Sequence, residues 1–228
     1  MFKFRTLGLV ALLAVLISGC SNTPKLASQP MPRSGFLQNY TYMVPVSTRE
    51  ADTRVWRYRK PGIDRGTYTA VILDPIYINQ NVTKEVSVEV INRTKSALQS
   101  SMVETVNGTG NIKIVTEPGP GVARISVGIT GAESSADSLK PWNFTPVGLA
   151  INAAAYVGGV NSKTPAILVE SKITDSRSKE VIGEGMVTVQ GESFRTGSGS
   201  VESFVAMART AVRAALETSG NASPTAAK

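Results

Sequence analysis

"AILVESKITDSRSKEVIGEGMVTVQ", residues 166–190, is the stretch on which the fold turns. "AILVESKITD" and "EVIGEGMVTVQ" both alternate apolar with polar residues, and the polar "SRSK" stands between them. This is the pattern of two antiparallel strands joined by a tight connection. Strands of this kind need a layer over only one face, because the other can meet water. The rest of the chain has to supply that layer.

Two segments do so. Val82, Val86, Val90, Thr94, Leu98, Met102 and Val106 recur every four residues and predict a helix from about Thr83 to Val106. "NGTGN" (107–111) supplies the glycine that ends it. Val201, Val205, Ala208, Val212 and Leu216 mark a second helix over Val201 to Glu217, capped by Ser198 or Ser200 and stopped by Gly220. "TYTAVILDPIYI" (67–78) is the strongest further strand, and its Asp74-Pro75 demands a bulge, a bend or an edge. "IKIVTEPGPG" and "VARISVGITGAESS" read as two more strands around a Pro-Gly turn. The expected class is α+β: a mixed or antiparallel β-sheet with two amphipathic helices packed on one face.

The chain opens with two cations, Lys3 and Arg5, then the uncharged "TLGLVALLAVLIS" (6–18), then Gly19 and Cys20. The apolar run is short for a bilayer-spanning helix and has the length and flank of a secretory leader. Leu16-Ile17-Ser18-Gly19-Cys20 resembles the bacterial lipobox, with Ile17 in the usual leucine position. That resemblance implies a diacylglyceryl group on the Cys20 sulfur, cleavage at the Gly19–Cys20 bond and acylation of the new amine. Ser21, rather than Asp, implies sorting to the outer membrane by the enterobacterial rule. Two or three chains make attachment durable where one would be marginal. The expected division is a signal peptide (1–19), a lipidated tether (20–34), one α+β periplasmic domain (35–218) and a disordered tail (219–228).

Cys20 is the single cysteine of 228 residues, and there is no histidine. Zinc sites of His and Cys and a Ser-His-Asp triad are therefore excluded. Ser176 precedes Lys179 by three residues but in a hairpin turn, which reads as a solvated turn. Asp74, Glu170, Asp175 and Glu184 are the carboxylates available for glycan cleavage, and no spacing singles them out. "TGSGS" (196–200) lacks the lysine of a phosphate-binding loop and reads as helix capping. No cofactor and no enzymatic activity are expected.

The net charge is +7, falling to +5 when Lys3 and Arg5 leave with the leader. "RVWRYRK" (54–60) is the one basic cluster. Nucleic acid is not an expected partner outside the cytoplasm. An anionic glycan or lipid is, with Trp56, Arg57, Arg59 and Lys60 (and Arg54 beside them) as contacts. The competing reading is a solvated edge strand. Residues 141–162 carry no charge. They suit a buried small-residue helix around Val147 to Val157, a patch for a partner or membrane, or a loop between strands.

The lipobox, "SGFLQNY" (34–40), the W-R-Y of residues 56–58 and "YTAVILDPIYI" together resemble the bacterial lipoprotein family known as domain of unknown function 3313. The resemblance covers nearly all of the chain after the leader and carries over no catalytic residue. The element order is also similar to the α/β modules of the curli secretion lipoprotein and of the lipoprotein activators of penicillin-binding proteins. The expected function is a non-enzymatic interaction or assembly module held at the outer membrane through Cys20, with an envelope protein or a second copy as partner. The alternative is a binder of an anionic glycan or lipid.

Overall fold

A computed structural model describes residue 26 and residues 31–80, 82, 86–136 and 163–221. The leader, Cys20 and the uncharged 141–162 lie outside these residues. Among the described residues the sheet has eight strands: β1 Val44–Val46, β2 Thr53–Arg59, β3 Ala70–Leu73, β4 Tyr77–Ile78, β5 Lys113–Ile114, β6 Val122–Ala136, β7 Lys163–Asp175 and β8 Val181–Gln190. Helix α1 is Val88–Gly108 and helix α2 is Gly197–Asn221. The strand order is β1-β2-β8-β7-β6-β3-β5, with β4 also on β6. The pairs from β1 to β6 are antiparallel, while β3 runs parallel to β6 and β5. The sheet is mixed and both helices pack on one of its faces, as expected of an α+β fold.

The β7–β8 hairpin is the one read from alternation, in register from Ala166↔Gln190 to Thr174↔Val181. Asp74-Pro75 does interrupt its strand. β3 ends at Leu73 opposite Ile125, and β4 resumes at Tyr77 opposite Gly128, one residue longer on its own side. The freed Asp74 carboxylate is held from β6 by Arg124 Nη1 at 2.5 Å and Ser126 Oγ at 2.6 Å. The strands on either side of the Pro-Gly turn are not partners, since β3 lies between β5 and β6.

Both helix boundaries differ from the periodicity. α1 begins at Val88, not Thr83, because Ser87 is extended and its Oγ accepts the Val90 amide at 3.4 Å, capping the helix there. Val86 and Ile91, just before the cap and in the first turn, sit in one buried cluster, the pattern of a hydrophobic staple. That staple imitates a further helical turn in the sequence. α2 begins one turn early, at Gly197. Its cap is Thr196, whose Oγ1 accepts from the Gly199 amide at 3.2 Å, rather than Ser198 or Ser200. α2 also runs through Gly220 to Asn221.

The main core lies between helices and sheet. Phe204, Met207 and Ala208 of α2 and Leu98 of α1 meet Ile129, Ile167 and Val187 of the strands. Phe204, Ile129 and Ile167 have no exposure at all. The other face is covered too, by residues 31–43. Leu37, Tyr40 and Met43 pack there against Trp56, Leu168 and Met186, with Leu26 and Met31 alongside. Leu26 and Met31, both within the segment read as tether, thus lie on the sheet.

Candidate functional site

Alternation along β2 divides the basic cluster between two faces. Val55, Arg57 and Arg59 point toward the helices; Trp56, Tyr58 and Lys60 point away. Trp56 is buried beneath the covering segment. Lys60 pairs with Glu180. Arg57 Nη2 donates to the Ala215 carbonyl at 3.0 Å, and Arg59 Nη2 to that of Ser219 at 3.1 Å. Ser219 lies in the last turn of α2, where unsatisfied acceptors and the negative end of the helix dipole favour cations, and Ala215 lies about one turn before it. The structure therefore brings Arg57 and Arg59 together and keeps Trp56 and Lys60 apart from them. β2 is not the edge of the sheet, since β1 pairs with it outside, which corrects the edge-strand reading.

The two arginines stand beside an apolar cleft. Its walls are Met102 and Val106 of α1 and Val212 and Leu216 of α2; its floor is Ile125 of β6 and Ile173 of β7. The volume is about 310 Å³. An adjoining hollow of about 240 Å³ shares that floor and continues past the helix ends to Ile63, Tyr68 and Ile182. Arg57 lines both, and Arg59 lines the second. Leu216 at the rim is 47 % exposed, a large apolar side chain left to solvent.

The adjoining hollow is also lined by "GEG" at 183–185, two positions without side chains. Gly183 stands opposite Arg59, and Gly185 opposite Arg57. A Cβ at Gly185 would meet Ser171 Oγ at 2.9 Å, closer than real contacts allow. Alternation turns Glu184 to the other face, so its carboxylate does not enter the cleft.

On that other face Glu184 and Glu170 fasten the covering segment. Glu184 accepts the amides of Gln38 at 2.9 Å and Asn39 at 2.8 Å. Glu170, with no exposure, accepts the Tyr40 hydroxyl at 2.7 Å and Ser34 Oγ. Tyr40 Oη in turn accepts the amides of Gly35 at 3.0 Å and Ser34 at 3.2 Å. Leu26 donates its amide to Glu133 at 2.8 Å. Two buried carboxylates in neighbouring strands suggest acid–base chemistry in isolation, but here each is bound by donors of the same segment. Asp74 is paired with Arg124, and Asp175 organises the hairpin turn, so the four candidate carboxylates do not converge. Among the described residues no group of three or more Cys, Asp or Glu could hold a metal ion. No helix among them is long and apolar enough to cross a membrane.

Comparison with known proteins adds a family. The model for the family described as protein of unknown function DUF3313 matches residues 32–217. The uncharacterized lipoprotein YdcL of Escherichia coli K12 is 25% identical over 168 residues, 73% of each chain. Among solved structures, the PelC dodecamer from Paraburkholderia phytofirmans has a TM-score of 0.34 at 12% identity, over 69% of this chain and 95% of that one. The hypothetical protein CT253 from Chlamydia trachomatis has a TM-score of 0.40 at 9% identity, over 67% and 95%. Structural likeness at that level carries nothing about function.

Proposed function

The chain belongs to the DUF3313 family, and from that premise we propose that it is a non-enzymatic interaction or assembly module of the bacterial envelope. It is tied by lipid at Cys20 to the outer membrane and faces the periplasm. Its relative YdcL is named a lipoprotein. The observation that carries the reading is the docked segment after the lipobox. Leu26 meets Glu133, and residues 34–40 are fixed to Glu170 and Glu184. From Cys20 to Leu26 is six residues, a reach of about 20 Å at most. The domain is thereby kept close to its leaflet, which suits a part that assembles with others there.

The test is made on the native product. Mass spectrometry is expected to find an acylated Cys20 at the new N-terminus, and density separation to place it with the outer membrane. Crosslinking in intact cells is expected to give one envelope protein or a second copy. An unmodified Cys20 overturns the anchor. A chain that is acylated but crosslinks to nothing overturns the assembly role.

A further inference from the structure

We propose that the cleft between the ends of α1 and α2 holds the acyl chain of a single-chain anionic lipid, with its head beside Arg59 and Arg57. This goes beyond the assembly role and stands whether or not Cys20 is acylated. The argument has three parts. The first is room. A cleft of about 310 Å³ with an adjoining hollow of about 240 Å³ falls at the small end of ligand sites, whose usual range is roughly 300–1,000 Å³. It suits one chain rather than two.

The second part is chemistry of the wall. Met102, Val106, Ile125, Ile173, Val212 and Leu216 offer methyl and methylene groups, and among the described residues the polar side chains lining the cleft are four hydroxyls and Arg57. In the adjoining hollow Gly183 and Gly185 line the wall without side chains, and a Cβ at Gly185 would meet Ser171 Oγ at 2.9 Å.

The third part is charge. Among the described residues Glu184 is the one acid lining the hollow, and its carboxylate is bonded on the opposite face to the Gln38 and Asn39 amides. Arg59 meets a neutral carbonyl, and a guanidinium has five N–H donors, so it retains both its charge and donors for an anion. The C-terminal end of α2 would repel a carboxylate or phosphate on its own. The arginines reverse that sign at the mouth. An apolar channel that ends at a cation selects an amphiphile with the opposite charge.

The full chain, with its anchor, is placed in phosphatidylcholine discs and exposed to a diazirine-bearing palmitate. Light-induced adducts are mapped by peptide mass spectrometry. Adducts are expected at Met102, Ile125 and Leu216. Thr105 of α1 also lines the cleft, and Thr105→Trp is expected to lower them about tenfold. Leu216→Glu, at an exposed rim position, repeats the block should the first variant fold poorly. Arg59→Gln is expected to narrow the preference for palmitate over its methyl ester by roughly tenfold. Adducts spread over the surface, or unchanged by both blocking variants, overturn the site. Equal labelling by palmitate and its ester in the unaltered chain overturns the anionic head.

Discussion

The Tyr40 hydroxyl donates to the Glu170 carboxylate at 2.7 Å, joining residues 130 apart in sequence. The same oxygen accepts backbone amides of Ser34 and Gly35. One phenol therefore closes the covering segment on itself and binds it to the middle of the sheet. Tyr40→Phe keeps the ring and its packing but removes the donor to a fully buried carboxylate. A loss of about 1.5–3 kcal/mol is expected, the usual range for hydrogen bonds to charged groups. Urea denaturation measures it, and limited proteolysis within residues 31–43 should quicken in parallel. An unchanged midpoint with unchanged proteolysis would show that the bond is dispensable.

Gly185→Ala puts a methyl group 2.9 Å from Ser171 Oγ. The expected cost is about 1–3 kcal/mol, as for other overpacked sites. Combining it with Ser171→Gly should recover most of that cost, because the clash is with a side chain rather than the backbone. Thermal melts of the two single variants and the double variant test this. Additive losses would mean that the glycine is needed for some other reason.

Phe204→Ala empties the largest fully buried side chain of the main core. A loss of about 3–5 kcal/mol is expected from the lost burial and the cavity left behind. Equilibrium unfolding that shows less than about 1 kcal/mol would contradict the packing described for α2 on the sheet.

Asp175 gives a pH signature. The Ser178 amide does most to hold its carboxyl below the ordinary value of 3.8; burial opposes it, and the Arg177 amide, the Ser178 hydroxyl and the Tyr68 hydroxyl add to the lowering. A depressed carboxylate contributes stability above its unfolded pKa and loses it as pH falls through the folded one. Asp175→Ala should therefore destabilise the hairpin turn by about 1 kcal/mol at neutral pH, an ordinary hydrogen-bond value. The gap from the unaltered chain should shrink as the pH drops below 3.8. Melts at a series of pH values measure it. A gap that widens in acid reverses the sign and refutes the account.

Local chemistry made much of this fold readable. Alternation revealed the β7–β8 hairpin, Asp74-Pro75 announced its own interruption, and four-residue spacing exposed both helices. Boundaries misled where a neighbouring effect imitated the signal. The Val86 staple extends the apparent period of α1, and α2 runs one residue past Gly220, with Arg59 donating to the Ser219 carbonyl beside it. The site was less legible. The sequence singles out Arg57 and Arg59, but as members of a patch that alternation splits. The signal that could have located the cleft is "GEG", two missing side chains on one face of a strand flanking an acid on the other. The role of Glu170 and Glu184 could not be read locally, since their partners lie 130 to 146 residues away.

Fixing residues 34–40 to β7 and β8 also decides how the molecule answers a tug. Tension drawn through the proposed anchor at Cys20 would enter first at Leu26 and Glu133, then at Glu170 and Glu184 in two interior strands. It does not enter at the outer strands β1 or β5, which could be peeled away one hydrogen bond at a time. The domain is rigged like a sail held by its middle seams, so a pull on that segment is spread over the broadest part of the weave.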